Sequence, residues 1–453
     1  MLNLNQLKKL YTNSPHWVQS IYAAIPFNIR NGSEYRQWRT FLNKNLSVEE
    51  YEILKLKETI LYAYEHTKYY KKLFDDNHID PYAINTRKNL QAVPLLTKEM
   101  VRENFHDLQA TDYPKRNKFF ITTGGTTGYP ATFYQSYNVW KKELAFVADF
   151  FEEHDYTPSL LKASFKVKDF KETDHGIFWE KDYINNTIHF SPLHLNKSTV
   201  SKYVQKLNEL KPLFFHTYPS NLLFLIDNMM EQDLKLAYQL HTILLVSEGY
   251  TNKDIQKIIK FFNCEVASFY GHSEHILFVK AITPEVDIYQ IDKRYGFFEL
   301  VDDDKHQIIE NNISGTIVGT TFDNYAMPLI RYETDDITQY LDYKTGKTSM
   351  IDSLRNQVYL DGKNGIKISV TSFNLIPFAD KIHTWQLYQE YPGKMDVLIV
   401  PKKDFTQKDK DDILSFIRSS IGDILECDLK LRDRPLLTPR GKMTKMNKRI
   451  VKV

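Results

Sequence analysis

The sequence predicts an α/β protein: a large multi-layer N-terminal region with parallel sheets and a β-rich subdomain, followed by a small α+β C-terminal piece. Three observations predict it. Between about 119 and 270, short apolar runs ending in polar or glycine-bearing loops alternate with helical patterns, as in strand–helix units that build a parallel sheet. From about 285 to 340 the helical patterns stop and strands follow one another directly. After about 350 a smaller mixed segment begins, and it runs into a basic tail. At 453 residues the chain is also too long for one hydrophobic core, which calls for two or three domains.

Residues 1–45 are aromatic-rich and weakly patterned, suited to covering a groove or touching a membrane surface. A helix is predicted next, over about 48–66. Ser47 and Glu50 have capping-box spacing, Leu46 and Tyr51 match the accompanying hydrophobic staple, and Ile53, Leu54, Leu56, Ile60, Leu61 and Tyr64 trace its apolar face. The apolar run FFI then meets a glycine stretch, TILLV meets Ser247-Glu248-Gly249, and VASFY meets Gly271-His272. Helical patterns lie at 138–153, 198–210, 219–231 and 252–262. Alternating strands follow in VDIYQI, GFFELV and GTIVGTTF. Ligands of open α/β sheets bind beyond the carboxyl ends of strands, so three polar loops after three apolar runs are candidates to face one ligand.

Composition narrows the function classes. Fifty-nine basic residues against 57 acidic leave a net charge of +2, which gives a nucleic-acid partner no support. Two cysteines, Cys264 and Cys427, exclude a disulfide framework and a cysteine-ligated zinc. No apolar run approaches the roughly 20 residues a bilayer span needs, and no secretory signal is evident, so a reducing cytoplasm is the expected setting. Peripheral membrane contact and the oligomeric state stay open. The aromatic content, 29 Tyr and 28 Phe, makes flat apolar pockets easy to build.

The stretch FFITTGGTTGYPATFYQSY sets three glycines, Gly124, Gly125 and Gly128, among the hydroxyls of Thr122, Thr123, Thr126 and Thr127. Two readings are open: a sharp turn, or a cradle in which backbone N–H groups and hydroxyls hold phosphate oxygens. A Walker loop is excluded, because Tyr129 and Pro130 stand where its lysine and hydroxyl would be. His272 and His275 have a helix-face spacing, but no third zinc ligand accompanies them.

The motifs together resemble those of the adenylate-forming enzymes, in order along nearly the whole chain. TTGGTTGYP is similar to their signature loop, usually Ser/Thr-Gly-Ser/Thr-Thr-Gly-Lys-Pro. LLVSEGYTNKDIQKII resembles the adenine-side loop of the phenylacetate–coenzyme A ligase branch. ASFYGHSEH looks like its Tyr-Gly-x-Ser/Thr-Glu motif, GTIVGTTFDNYAMPLIRYETDDI its Pro-Leu-Ile-Arg-Tyr segment, and TPRGKMTK the C-terminal Gly-Lys motif. The helix at 48–66 with KYYKKLF and VPLLTKEMVRENF fits the same branch, and YAAIPFNIRN is similar to capsule-biosynthesis, CapK-type members.

This resemblance implies an adenylation domain over 1–353 and a mobile C-terminal domain over 354–453. It implies ATP and magnesium as cofactors and a small carboxylic acid as substrate. The acyl group would pass to coenzyme A or to an amine such as an amino sugar, with surface-polysaccharide biosynthesis as the setting. By the same resemblance Thr123, Gly124, Gly125, Thr126, Thr127 and Gly128 hold the β- and γ-phosphates, and Ser247, Glu248 and Gly249 lie on the adenine side. Tyr270 and Gly271 meet the base, Ser273 the α-phosphate, and Glu274 the magnesium through oxygen, the ligand a hard cation prefers. Asp336 takes the ribose, although Asp335 occupies the usual glycine position and leaves open which aspartate does so. Arg355 is a ribose or phosphate contact, and Lys442 reaches the reacting carboxylate. Tyr218, Pro219, Ser220 and His272 are expected along the acyl pocket. Tyr129 replaces the usual lysine, Leu354 a glycine and Val358 an aspartate, which keeps a non-catalytic nucleotide-binding protein in view. The bland readings are a core tyrosine for Tyr270, a solvated carboxylate for Glu274, and for 436–453 a basic tail of six Lys/Arg that could meet anionic lipid.

Overall fold

The computed structural model describes residues 14–122, 131–166, 175–282, 287–353, 359–370, 373, 375–378, 381–433, 436 and 446–448. Contacts divide the chain into two units, one from residues 1–44, 141–246 and 256–267, the other from 45–140, 247–255 and 268–453. Helices Tyr137–Glu152, Val200–Leu210, Pro219–Glu231 and Asn252–Phe262 fall within two residues of the four helical patterns.

The first unit is built on the expected parallel sheet. Strands Thr242–Leu245, Phe214–Thr217, Lys162–Phe165 and Thr187–Phe190 lie side by side and parallel, and Trp179–Asp182 adds an antiparallel edge. Ile243, Leu244, Leu245, Phe214, Phe215, Ile188 and Phe190 are all buried, as a sheet covered on both faces requires. Phe165 stacks on Phe190 at 5.0 Å between centroids, and Tyr203 of Val200–Leu210 packs on Phe190 in turn. Helix Pro219–Glu231 carries its proline in the first turn, where no N–H is missed, and buries Leu222, Leu225, Ile226 and Met229 at helical spacing. The N-terminal stretch is more regular than its sequence suggests. Helix Gly32–Leu42 packs Trp38 on Phe146 and pairs Arg39 with Asp149 and Glu152, whereas helix His16–Ala24 leaves Trp17 and Ile21 exposed.

In the second unit, helix Val48–His66 starts where the sequence places it, but the expected capping box is absent. Ser47 makes no side-chain cap bond, and the Tyr51 N–H reaches only the Ser47 carbonyl. The FFI run also departs from expectation. Strand Lys118–Thr122 joins no parallel sheet but pairs antiparallel with Thr132–Ser136, Phe119 opposite Gln135. Three apolar residues cannot distinguish a buried parallel strand from a hairpin arm. The returning strand, with Phe133 and Gln135 buried, makes it a hairpin.

The strands from 288 onward form the antiparallel sheet foreseen. Its order is Gln307–Ile308, Gly296–Val301, Ser314–Thr321, Tyr332–Asp342, Lys347–Ser349, Ile288–Ile291 and Val279–Ala281. Val279–Ala281 also receives the end of Glu265–Tyr270, with Tyr270 opposite Val279. Gly296 permits a close approach here, since a Cβ would stand 1.9 Å from the Ile276 carbonyl oxygen. Arg331 is buried against Glu299 at 3.1 Å and also donates to the Val93 carbonyl at 2.8 Å. In the C-terminal stretch, Glu426–Leu431, Lys394–Pro401, Ile382–Gln389 and Met446–Lys448 make a separate four-stranded sheet, joined by helix Gln407–Ile421 with Ile413, Ile417 and Ile421 buried. The α/β architecture with a small C-terminal sheet is therefore as expected.

Candidate active site

Strand Glu265–Tyr270 ends in the second unit with a half-buried tyrosine. The Tyr270 hydroxyl donates to Asp336 Oδ2 at 2.7 Å, joining two motif residues 66 positions apart. Asp336 lies on strand Tyr332–Asp342, and its N–H bonds Thr334 Oγ1 at 3.2 Å, which fixes the backbone there. Successive strand residues point to opposite faces. Asp335 accordingly leaves Tyr270 and pairs with Lys98 Nζ at 2.8 Å. Asp336 is thus the aspartate beside Tyr270.

The chain then turns. The His275 N–H bonds the His272 carbonyl at 2.9 Å, and His275 itself adopts a positive φ of 50°. Gln135, fully buried on the hairpin, clamps this turn from two sides. Its Nε2 donates to the Ser273 carbonyl at 3.0 Å, and its Oε1 lies 2.9 Å from His275 Nδ1. Ser273 is left exposed, while Glu274 points inward at 7% exposure. Tyr332 donates its hydroxyl to Glu274 Oε1 at 3.1 Å, and His272 Nδ1 lies 3.4 Å from Oε2. Burial alone would push the Glu274 carboxyl up. The His272 ring, followed by the charge of Lys98, outweighs that and holds it down at about 2. Glu274 is therefore a carboxylate at any physiological pH.

That state suits a magnesium ligand. Magnesium is usually held by one or two carboxylates together with substrate phosphates and water. Glu274 accepts from Tyr332 and faces His272, and a carboxylate still offers further lone-pair sites. Among the described residues there is no cluster of three or more His, Cys, Asp or Glu side chains that could cage a metal without such a substrate.

The loop after Thr242–Leu245 is held in the same unit. Ser247 has a positive φ of 64°, Glu248 is hydrogen-bonded by the Tyr359 side chain, and Tyr250 and Tyr289 share a 2.5 Å contact between hydroxyls. Gly249 and Gly271 are exposed. In the first unit, Tyr218 precedes helix Pro219–Glu231, Pro219 is buried, and Tyr218 and Ser220 are half-buried. Thr123, Gly124, Gly125, Thr126, Thr127, Gly128, Arg355 and Lys442 lie outside the described residues, as do Tyr129, Leu354 and Val358.

Lys98, Gln135 and Tyr332 were not singled out from the sequence. Lys98 and Tyr332 sit inside segments that carry the resemblance, VPLLTKEM and PLIRYETDD, but a segment match does not say which side chain turns inward.

The fold is that of the adenylate-forming ligases. Two structures of 2-hydroxyisobutyryl-CoA ligase share it. One is in the postadenylation state with R3-HIB-AMP (TM-score 0.53, 88% of each chain) and one is with 2-HIB-AMP and CoA in the thioesterification state (TM-score 0.54, 88% of this chain and 89% of that one), both at 15% identity. No protein-family model matches the chain. Its relatives in sequence are protein CapK of Staphylococcus aureus, 23% identical across 94% of this chain and 93% of that protein, and phenylacetate–coenzyme A ligases. The ligase of Aromatoleum evansii is 21% identical over 72% of both chains, and that of Thermus thermophilus is 22% identical over 64% of this chain and 65% of its own.

Proposed function

We propose that the protein is an ATP- and magnesium-dependent ligase that activates a carboxylic acid as its acyl-adenylate and passes the acyl group to an acceptor. The observation that carries this reading is the contact of Tyr270 with Asp336 on one strand end, with Glu274 in the turn that follows. A base-stacking ring, a ribose-type carboxylate and a metal-type carboxylate are thereby grouped in one unit. Support comes from relatives named as coenzyme A ligases and from a fold shared with a ligase that holds acyl-AMP.

The chemistry assigns the roles. An oxygen of the substrate carboxylate attacks the α-phosphorus, pyrophosphate leaves, and the acyl-adenylate remains; a thiol or amine then attacks the acyl carbon and AMP departs. Such steps need charge neutralisation and positioning more than covalent help. Tyr270 and Gly271 bracket the base with Ser247, Glu248 and Gly249, and Asp336 accepts from the ribose hydroxyls. Ser273 donates to the α-phosphate, and Glu274 holds the magnesium, which would supply charge neutralisation at the phosphates. Thr123, Gly124, Gly125, Thr126, Thr127 and Gly128 carry the outer phosphates, and Arg355 a phosphate or ribose contact. Lys442, from a mobile domain over 354–453, steadies the reacting carboxylate. Tyr218, Pro219, Ser220 and His272 meet the acid.

The finer reading is transfer to coenzyme A in surface-polysaccharide assembly within the cytoplasm, and the near full-length relation to CapK supports it. No described helix is long and apolar enough to cross a membrane. Pyrophosphate release with ATP, magnesium and a panel of carboxylic acids tests the class, and product masses with coenzyme A or amino-sugar nucleotides identify the acceptor. ATP binding without pyrophosphate release from any acid would leave the fold standing and remove the ligase.

A further inference from the structure

Parallel strands covered on both faces read as apolar runs, and in the first unit strand Lys162–Phe165 breaks that rule. Alternation places Lys162 and Ser164 on one face, with Lys166 just past the strand end. The parallel register sets Ser164 beside His216 of one neighbouring strand and His189 of the other. Lys166 Nζ then lies 3.3 Å from His216 Nε2 and 6.0 Å from the centre of the Tyr218 ring. Thr217 Oγ1 and Asn221 Nδ2 both donate to the Phe165 carbonyl, which pins Lys166 at the start of helix Pro219–Glu231. This is the carboxyl end of the sheet, where α/β proteins bind ligands.

The counter-charge is missing. Asp182 is engaged by His189 at 3.7 Å and by Asn185 at 2.8 Å, and its charge bears on Lys162. Lys162 donates to the Tyr156 hydroxyl at 2.7 Å. Among the described residues no carboxylate is set against Lys166. His216, held well below its ordinary range by burial and then by Lys166, Lys162 and His189, is neutral and can only accept from the ammonium. Two N–H donors of Lys166 are left over. Burial draws Lys166 down to about 8, yet Lys166, His216 and Tyr218 each keep accessible surface. A cation that protein surrounds and solvent still reaches lines a recess.

We propose that Lys166, steadied by His216 and Tyr218, binds a second carboxylate on the acid, so that the chain selects dicarboxylic acids over their monocarboxylic homologues. For turnover this rests on the ligase reading; for binding it does not. The test compares glutarate with valerate, adipate with hexanoate, and 4-carboxyphenylacetate with phenylacetate, by pyrophosphate release from the wild type, Lys166→Gln and Lys166→Arg. The diacid-to-monoacid ratio of kcat/KM should favour diacids by tenfold or more in the wild type. A hydrogen bond to a charged partner implies a fall of about 10- to 100-fold in Lys166→Gln, mostly through KM, with the ratio largely retained in Lys166→Arg. An equal ratio in wild type and Lys166→Gln would overturn the proposal, as would a penalty confined to the KM of coenzyme A. Should no acid be turned over, the ligase reading fails separately and calorimetry decides the subsite. Glutarate binding more tightly than valerate to the wild type but not to Lys166→Gln sustains it, and indifference in both removes it. Thermal melts of each variant separate loss of binding from loss of fold.

Discussion

Replacing Tyr270 by phenylalanine and by alanine separates the two things its side chain does. The hydroxyl ties Asp336 at 2.7 Å, near the short distances of bonds to carboxylates, while the ring is the surface proposed to meet adenine. Stacking of a base on an aromatic ring is worth about 1–3 kcal/mol, which corresponds to about 5- to 150-fold in Kd. Tyr270→Ala should weaken ATP binding by that amount. Tyr270→Phe keeps the ring and loses only the tie. A carboxylate has roughly four acceptor positions, so Asp336 can serve two ribose hydroxyls with or without the tyrosine, and Kd should move by about threefold or less. Asp336→Ala removes hydrogen bonds to a charged acceptor, each worth about 1.5–3 kcal/mol, and should match or exceed the Tyr270→Ala loss. Calorimetric titration with ATP and magnesium reads all three, and circular dichroism melts confirm folding. A phenylalanine variant as weak as the alanine variant would show that the hydroxyl, not the ring, is the contact. The base-stacking role would then fall.

Glu274→Gln should retain the Tyr332 bond but lose the charge, slowing pyrophosphate release by about 10²–10³ and raising the magnesium requirement. Because the folded carboxyl titrates near 2 rather than 4.5, its contribution to stability is complete above about pH 4.5 and disappears as pH falls toward 2; urea midpoints at pH 5 and pH 3 should therefore converge in the variant relative to wild type. Lys162 and Lys166 titrate near 8 instead of 10.5 when folded, so the unfolded chain binds more protons between those values and stability should rise with pH across that window. Lys166→Gln should flatten part of that rise in urea midpoints taken from about pH 7.5 to 10.

How far the sequence is legible follows from where each signal lives. Helix Pro219–Glu231 is readable because Leu222, Leu225, Ile226 and Met229 repeat at helical spacing after a proline start. The hairpin strand Lys118–Thr122 is not, because its partner is chosen by tertiary pairing and a short apolar run is compatible with either sheet. The site divides in the same way. Tyr270, Glu274 and Asp336 sit in motifs whose local order carries them, whereas Gln135 acts on a turn 138 residues away through a single buried amide. Lys166 shows another limit. A lysine next to an apolar run reads as a solvated strand end until the register places His216 and Tyr218 around it.

Lys98 shows what a motif match leaves unsaid. The sequence departs from the resembling segment by placing Asp335 where glycine is usual, which adds a negative charge one residue from Asp336. Left alone, that charge would oppose any phosphate brought to the site. Lys98, 237 residues earlier and almost completely buried, lies against Asp335 at 2.8 Å and also helps hold the Glu274 carboxyl down. One ammonium thus offsets the added aspartate and steadies the proposed metal ligand. Strand alternation makes the arrangement workable, since it sends Asp335 to the lysine and keeps Asp336 with Tyr270. The extra acid is accommodated by geometry rather than tolerated at random, and the charge presented beside Tyr270 remains that of one aspartate.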